Sequence, residues 1–131
     1  MLRRILIAED EPYIVESLTF LLSREGHQVT AVGDGAAVLP AITRSRPDLL
    51  ILDIMLPTAN GFEILAEIRH NMALKTLPVM VLTAKGQDAD RRRMTDLGVD
   101  DFVTKPFSNH DLVTRVARLL EAPRRMTSGG R

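Results

Sequence analysis

A single doubly wound α/β domain is the fold predicted by this 131-residue sequence: five parallel strands alternating with five helices that cover both faces of the sheet. Three observations predict it. Short β-type runs alternate strictly with helical patterns, which implies right-handed crossovers and a parallel sheet. Two runs, Leu49-Leu50-Ile51-Leu52 and Val79-Met80-Val81-Leu82, are unbroken apolar stretches, as strands buried on both faces are. Two strand-like runs also end in acids, Glu9-Asp10-Glu11 and Asp53, at the edge where open α/β sheets carry ligands and chemistry.

In chain order, the predicted strands are Leu2–Ala8, His27–Val32, Asp48–Leu52, Leu77–Leu82 and Asp101–Val103. Asp10-Glu11-Pro12 is a good helix start, with an N-cap acid followed by an acid and Pro in the first turn. The stripe Ile14, Leu18, Leu21, Leu22 then stops before Gly26. A weaker helix begins at Asp34, and Pro40 inside it should bend or shorten it. Phe62, Leu65 and Ile68 form a stripe after Asn60-Gly61, and another weak helix begins near Gln87. Leu112, Val113, Val116, Leu119 and Leu120 mark the last helix, with Ser108 as its N-cap. Residues 1–121 make one domain, and the Gly/Ser/Arg-rich stretch 122–131 reads as a flexible tail or the start of a linker.

Composition narrows the function. Seventeen basic and seventeen acidic residues cancel, so the chain as a whole makes no case for nucleic acid or acidic substrates. The absence of cysteine removes disulfides, thiolate metal sites and a Cys nucleophile together. No apolar stretch approaches membrane-spanning length and no signal-peptide pattern opens the chain, so a cytoplasmic protein is expected. His27, His70 and His110 are scattered and read as surface residues, and Arg91-Arg92-Arg93 as a solvated helix face.

Carboxylates gathered at neighbouring strand ends raise one another's pKa unless a cation intervenes. Asp and Glu oxygens, with a backbone carbonyl and water, suit Mg2+. A carboxylate beside that ion can act as a nucleophile toward a phosphoryl group, which then needs a cationic side chain and a hydroxyl donor. Thr83 and Lys105 follow the fourth and fifth strands and supply both. In a sheet ordered 2-1-3-4-5 the second strand lies at the far edge, and its end at Val32-Gly33-Asp34 offers little.

Four segments, Ile5-Leu6-Ile7-Ala8-Glu9-Asp10-Glu11-Pro12, Leu52-Asp53-Ile54-Met55-Leu56-Pro57 through Asn60-Gly61, Leu82-Thr83-Ala84-Lys85 and Asp101-Phe102-Val103-Thr104-Lys105-Pro106-Phe107, resemble the receiver domain of two-component response regulators. The resemblance spans about residues 2–121. It implies that Asp53 accepts a phosphoryl group from a sensor histidine kinase. It makes Asp10 and Asp53 direct ligands of Mg2+, with the Met55 carbonyl beside them and Glu9 acting through a bound water. It gives Lys105 and Thr83 to the phosphoryl oxygens, Phe102 to the aromatic switch position, and Met55 and Lys85 to positions that tune phosphate lifetime. It further implies a cis Lys105–Pro106 bond and a switching face on the fourth helix, fifth strand and fifth helix.

That face commonly forms a symmetric dimer in receivers attached to winged-helix DNA-binding domains. Here Arg91 with Asp111 and Asp101 with Arg115 are the expected rim pairs, while the usually apolar positions hold Arg92 and Thr95. Like charges in a two-fold patch oppose association, so a monomer or a weak phosphorylation-dependent dimer is expected. The output is expected to be a separate protein or a domain beyond residue 131, without direct nucleic-acid or membrane binding by this domain. Two other classes fit less well. A non-phosphorylated binding module has no use for the full set of acids, hydroxyl and lysine. A Mg2+-dependent phosphatase of the aspartyl type carries a second aspartate two residues after the nucleophile, where Met55 stands.

Overall fold

The apolar runs become the middle of the sheet. The computed structural model describes residues 3–84 and 88–123. Within them the elements alternate as β1 (Arg4–Ala8), α1 (Pro12–Arg24), β2 (Gln28–Val32), α2 (Val38–Ser45), β3 (Leu49–Asp53), α3 (Gly61–His70), β4 (Val79–Ala84), α4 (Asp88–Asp96), β5 (Asp101–Lys105) and α5 (Asn109–Glu121). All strands pair in parallel in the order β2-β1-β3-β4-β5, as predicted.

Side-chain alternation divides the central strands between two cores. Leu6, Leu50, Leu52, Val79 and Val81 face one side, where Ile42 of α2, Leu65 and Ile68 of α3 and Met94 of α4 cover them. Ile5, Ile7, Leu49, Ile51, Met80 and Leu82 face the other, under Leu18 and Leu22 of α1 and Leu112, Val116 and Leu120 of α5. Both faces of β1, β3 and β4 are therefore dry, which is why those strands read as continuous apolar runs.

Three strand ends fall later than expected. β3 includes Asp53, β4 runs on through Thr83 to Ala84, and β5 reaches Lys105, because each of these residues still has a register partner on the neighbouring strand. Asp53, Thr83 and Lys105 thus sit on paired backbone, not on the loops that follow. Ala8, Val32 and Asp101 bound their strands as expected, the starts of β2, β3 and β4 move by one or two residues, and β1 starts at Arg4, the expected Leu2 lying outside the described residues.

Gly26 stops α1 with φ of 92°, and the following His27 N–H reaches back to the Leu22 carbonyl. Pro40 falls in the first turn of α2, where an N–H would lack an intrahelical acceptor anyway; the preceding Gly35–Ala37 forms a 3₁₀ turn, and the helix is short instead of bent. Ser108 caps α5 by accepting from the Asp111 N–H at 3.2 Å. The expected capping role of Asp10 is not observed: Glu11 occupies the N-cap of α1 and its side chain makes no capping bond. His27 is also not a plain surface residue. It is half-buried with Nδ1 unpartnered, and burial holds its pKa below the ordinary histidine value.

Arg69, which no sequence pattern singled out, ties α3 to the segments that lead into β4 and β5. Its guanidinium donates to the carbonyls of Gly98 at 2.9 Å and Leu77 at 2.7 Å and pairs with Asp100 at 2.9 Å. Asp100 in turn accepts from the Val79 N–H at 2.8 Å, at the start of β4.

Candidate functional site

Because the strands are parallel, their C-terminal ends share one edge, and that edge carries the predicted residues. Glu9 and Asp10 leave β1, Asp53 ends β3, Thr83 lies in the last turn of the pleat in β4, and Lys105 ends β5. The Glu9 N–H still bonds the Val32 carbonyl at 3.0 Å, which continues the ladder and fixes where its side chain starts. Carboxylate oxygens of Glu9, Asp10 and Asp53 lie within 4.8 Å of one another. Glu9 and Asp53 are buried, at 2% and 5% exposure, whereas Asp10 faces solvent.

Lys105 bridges the two buried acids. Its Nζ donates to Asp53 Oδ2 at 3.1 Å and lies 2.9 Å from Glu9 Oε1. The second contact is an ion pair without hydrogen-bond alignment, so Glu9 Oε1 stays without a hydrogen-bond partner. Burial raises the Glu9 carboxyl above the usual carboxylate range and the Asp53 charge adds to this, while the Glu11 N–H and the Lys105 ammonium pull it back. Burial alone would lower the Lys105 pKa, but the two carboxylates outweigh it and the ammonium ends above its ordinary value.

Three carboxylates against one ammonium leave a formal charge of −2 when all are ionised. An all-oxygen donor set with that excess, two of its three carboxylates buried, fits a small hard divalent cation. No histidine joins the cluster among the described residues.

The remaining predicted residues surround this group. The Met55 N–H donates to Asp53 Oδ1 at 2.9 Å, so this turn already presents the Met55 backbone to the acid, and the Met55 side chain projects outward at 66% exposure. Thr83 is buried, its hydroxyl donates to the Ala84 carbonyl at 3.0 Å, and its backbone stands opposite Thr104. Phe102 is half-buried against the core under α4. The Lys105–Pro106 bond is cis, as expected. Lys85 lies outside the described residues.

Sequence reasoning undervalued the end of β2. Asp34 accepts from the Ala36 N–H at 2.9 Å and from the Thr58 hydroxyl, and these bonds hold its carboxyl below the usual range. The Gly35 N–H donates to the Pro57 carbonyl at 2.9 Å, and Thr58 takes a φ of 71°, rare for a β-branched residue. The β2–α2 loop thereby braces the loop that follows Asp53. The only local signal was the Asp34-Gly35 turn pair, which names a cap but not its distant partner.

On the neighbouring face the residues expected at the dimer rim make contacts within this one chain. Arg115 holds Asp101 at 2.8 Å and also Asp111 at 3.0 Å, while Arg91 donates to the Thr104 hydroxyl at 2.8 Å and lies over the Phe102 ring. Arg93 lies over Phe62 at 4.0 Å, so of the three consecutive arginines two cover aromatic rings. Among the described residues no helix is long and apolar enough to cross a membrane.

Comparison with known proteins agrees with this geometry. A family model described as the response regulator receiver domain matches residues 5–117. The sensory transduction protein RegX3 of Mycolicibacterium smegmatis is 39% identical over 116 residues, covering 88% of this chain and 50% of that protein. The phosphate regulon transcriptional regulatory protein PhoB of Escherichia coli is 37% identical over 120 residues, covering 92% and 52%. The chain thus spans about half the length of these curated relatives. Among solved structures, the receiver domain of a sensor histidine kinase from Pseudomonas aeruginosa, with a magnesium ion coordinated in its active site cleft, matches with a TM-score of 0.84 at 29% identity, covering 93% of this chain and all of that one.

Proposed function

Since this chain belongs to the response regulator receiver domains, we propose that Asp53 is its phosphoryl acceptor, with Mg2+ bound beside it and Lys105 as its cationic partner. The observation that carries the assignment is the Asp53 carboxylate itself. It is buried at the C-terminal edge, held through Oδ1 by the Met55 N–H and through Oδ2 by Lys105, within reach of Glu9 and Asp10.

The roles follow from charge. Asp10, Asp53 and the Met55 carbonyl would hold the ion directly, and Glu9 through a bound water; Mg2+, when bound, neutralises the acids and the incoming phosphoryl oxygens. Asp53 takes the phosphoryl group from a phosphohistidine of a sensor kinase: the N–P bond breaks, an O–P bond forms, and histidine leaves with the electron pair. Lys105, already 3.1 Å from Asp53, then pairs with the phosphoryl oxygens. The Thr83 hydroxyl exchanges the Ala84 carbonyl for a phosphoryl oxygen, and Phe102 moves with it, remodelling the face formed by α4, β5 and α5. Met55 and Lys85 set how readily water reaches the product. The activity is self-directed, with phosphotransfer and autodephosphorylation but no turnover of an external substrate.

Residues 1–121 are the receiver, and 122–131, of which 124–131 lie outside the described residues, a tail or linker. Several relatives named as transcriptional regulators are twice as long as the matched region. The output is therefore a second domain or a separate protein, reached from the cytoplasm without direct nucleic-acid or membrane contact by this domain.

Intact-mass spectrometry after incubation with acetyl phosphate tests the assignment. A single phosphoryl adduct that requires Mg2+ and is lost in Asp53→Asn supports it. A wild-type-like adduct in Asp53→Asn refutes it.

A further inference from the structure

Phe102 occupies the position expected to swing, and one side chain of α4 lies on it. The Arg91 guanidinium is 4.7 Å from the centroid of the Phe102 ring, and its Nη2 donates to Thr104 Oγ1 at 2.8 Å. Arg91 therefore engages two residues of β5 that point to the same face, two apart along the strand. Phe102 pairs in register with Val81, and Thr104 with Thr83, so the arginine bridges the β5 residues directly beside the site threonine. Both Arg91 and Phe102 are half-buried, where a cation over a ring is worth more than at a fully wet surface. The acids on the adjoining elements, Asp101 and Asp111, are both held by Arg115.

An inward swing of Phe102 requires the ring to leave this arrangement or to draw the guanidinium with it. Following the ring would desolvate a charge in the apolar cluster that contains Val81 and Met94, a costly move. Leaving it forfeits the cation–ring contact. A cleft lined by Arg91, Phe102, Thr104 and Phe107 opens beside the ring, so its present place is not enforced by crowding alone.

We propose that Arg91 is a positioning residue that holds Phe102 in its half-buried place and so opposes the switch triggered at Asp53. The proposal rests on the acceptor reading above. Arg91 acts through its contacts with Phe102 and Thr104. Its loss therefore favours the switched arrangement, and ligands that select that arrangement bind more tightly.

The test is the affinity for beryllofluoride, a phosphoryl mimic, in the presence of Mg2+, measured together with the aromatic NMR resonances of Phe102 in the unliganded protein. Relative to wild type, Arg91→Gln should bind beryllofluoride about three- to tenfold more tightly, the range expected for loss of one cation–ring contact. Its Phe102 resonances should move toward their beryllofluoride-bound positions before any ligand is added. Arg91→Lys, which keeps the cation, should restore most of both effects. Equal or weaker binding by a folded Arg91→Gln protein, or unmoved Phe102 resonances, overturns the proposal. If folded wild type and both variants all fail to bind beryllofluoride, the acceptor reading itself falls and takes this proposal with it.

Discussion

Lys105 lies closer to Glu9 than to the acceptor candidate Asp53, 2.9 Å against 3.1 Å, so its ammonium compensates an acid pair and not one carboxylate. One cation cannot neutralise two buried carboxylates and an exposed third. With all three acids ionised the site carries an excess of negative charge, and this has consequences for stability as well as for chemistry.

Glu9 has a folded-state pKa above its ordinary value of 4.5. The folded protein therefore holds this proton more tightly than the unfolded chain does. The associated stability is fully present below about pH 4.5 and is lost as the pH rises through the higher folded value. In metal-free protein, Glu9→Gln removes this loss. Urea unfolding from pH 4.5 to 7 should show the stability of the variant rising relative to wild type with pH, and a constant difference between the two would refute this. Lys105, raised above 10.5, has the same sign in another window: its contribution persists below 10.5 and disappears above the folded value.

Asp10 faces solvent and does not cap α1, so its carboxylate is free for an ion. Asp10→Asn should weaken Mg2+ binding at least about tenfold, as loss of a charged ligand does, while leaving the metal-free fold intact. Calorimetric titration with Mg2+ alone measures this, and an unchanged affinity would remove Asp10 from the ligand set.

Arg69 satisfies the carbonyls of Leu77 and Gly98 and pairs with Asp100, with a side chain only 10% exposed. Arg69→Ala removes the guanidinium donor from the Leu77 and Gly98 carbonyls and the cation paired with Asp100, and should cost about 2–4 kcal/mol of stability. Denaturant titration gives the value; a loss below about 1 kcal/mol would mean that water replaces the guanidinium.

Gly35 sits where a Cβ would lie 2.7 Å from the Ala59 Cβ and 2.9 Å from its backbone nitrogen. Backbone cannot yield cheaply, so Gly35→Ala should push the loop after Asp53 outward and cost roughly 1–3 kcal/mol. Amide chemical shifts of residues 55–59 should move with it, and a variant as stable as wild type would show that the two loops are not coupled.

Arg92 is exposed on α4, and Thr95 bonds back to the Arg91 carbonyl at 2.8 Å, so neither adds apolar area to the dimer face. With Asp101 and Asp111 both held within one chain by Arg115, sedimentation with beryllofluoride and Mg2+ should show a monomer or a weak dimer. A tight activated dimer would contradict this reading.

Most of the site was legible because its parts are local. A parallel strand places its last residue at a common edge, so acids after β1 and β3, Thr83 and Lys105 could be assigned to one place from apolar runs and chain order. Strand ends were less legible: Asp53, Thr83 and Lys105 proved to be strand residues because hydrogen bonds to a neighbour, not side-chain polarity, decide where a strand stops.

The sequence by itself determined the alternation of elements, the two dry faces of the sheet and the chemical identity of the edge, since periodicity and residue type are written residue by residue. Only the tertiary structure decided which groups share a partner. It gave Lys105 to both Glu9 and Asp53, Arg115 to both Asp101 and Asp111, Arg69 to the Leu77 carbonyl ahead of β4, Asp34 to Thr58 and Arg91 to Phe102. Except for Arg115 with Asp111, these pairs join residues eight or more positions apart. Their choice depends on distances and burial fixed only when α3, α4 and the loops are packed on the sheet.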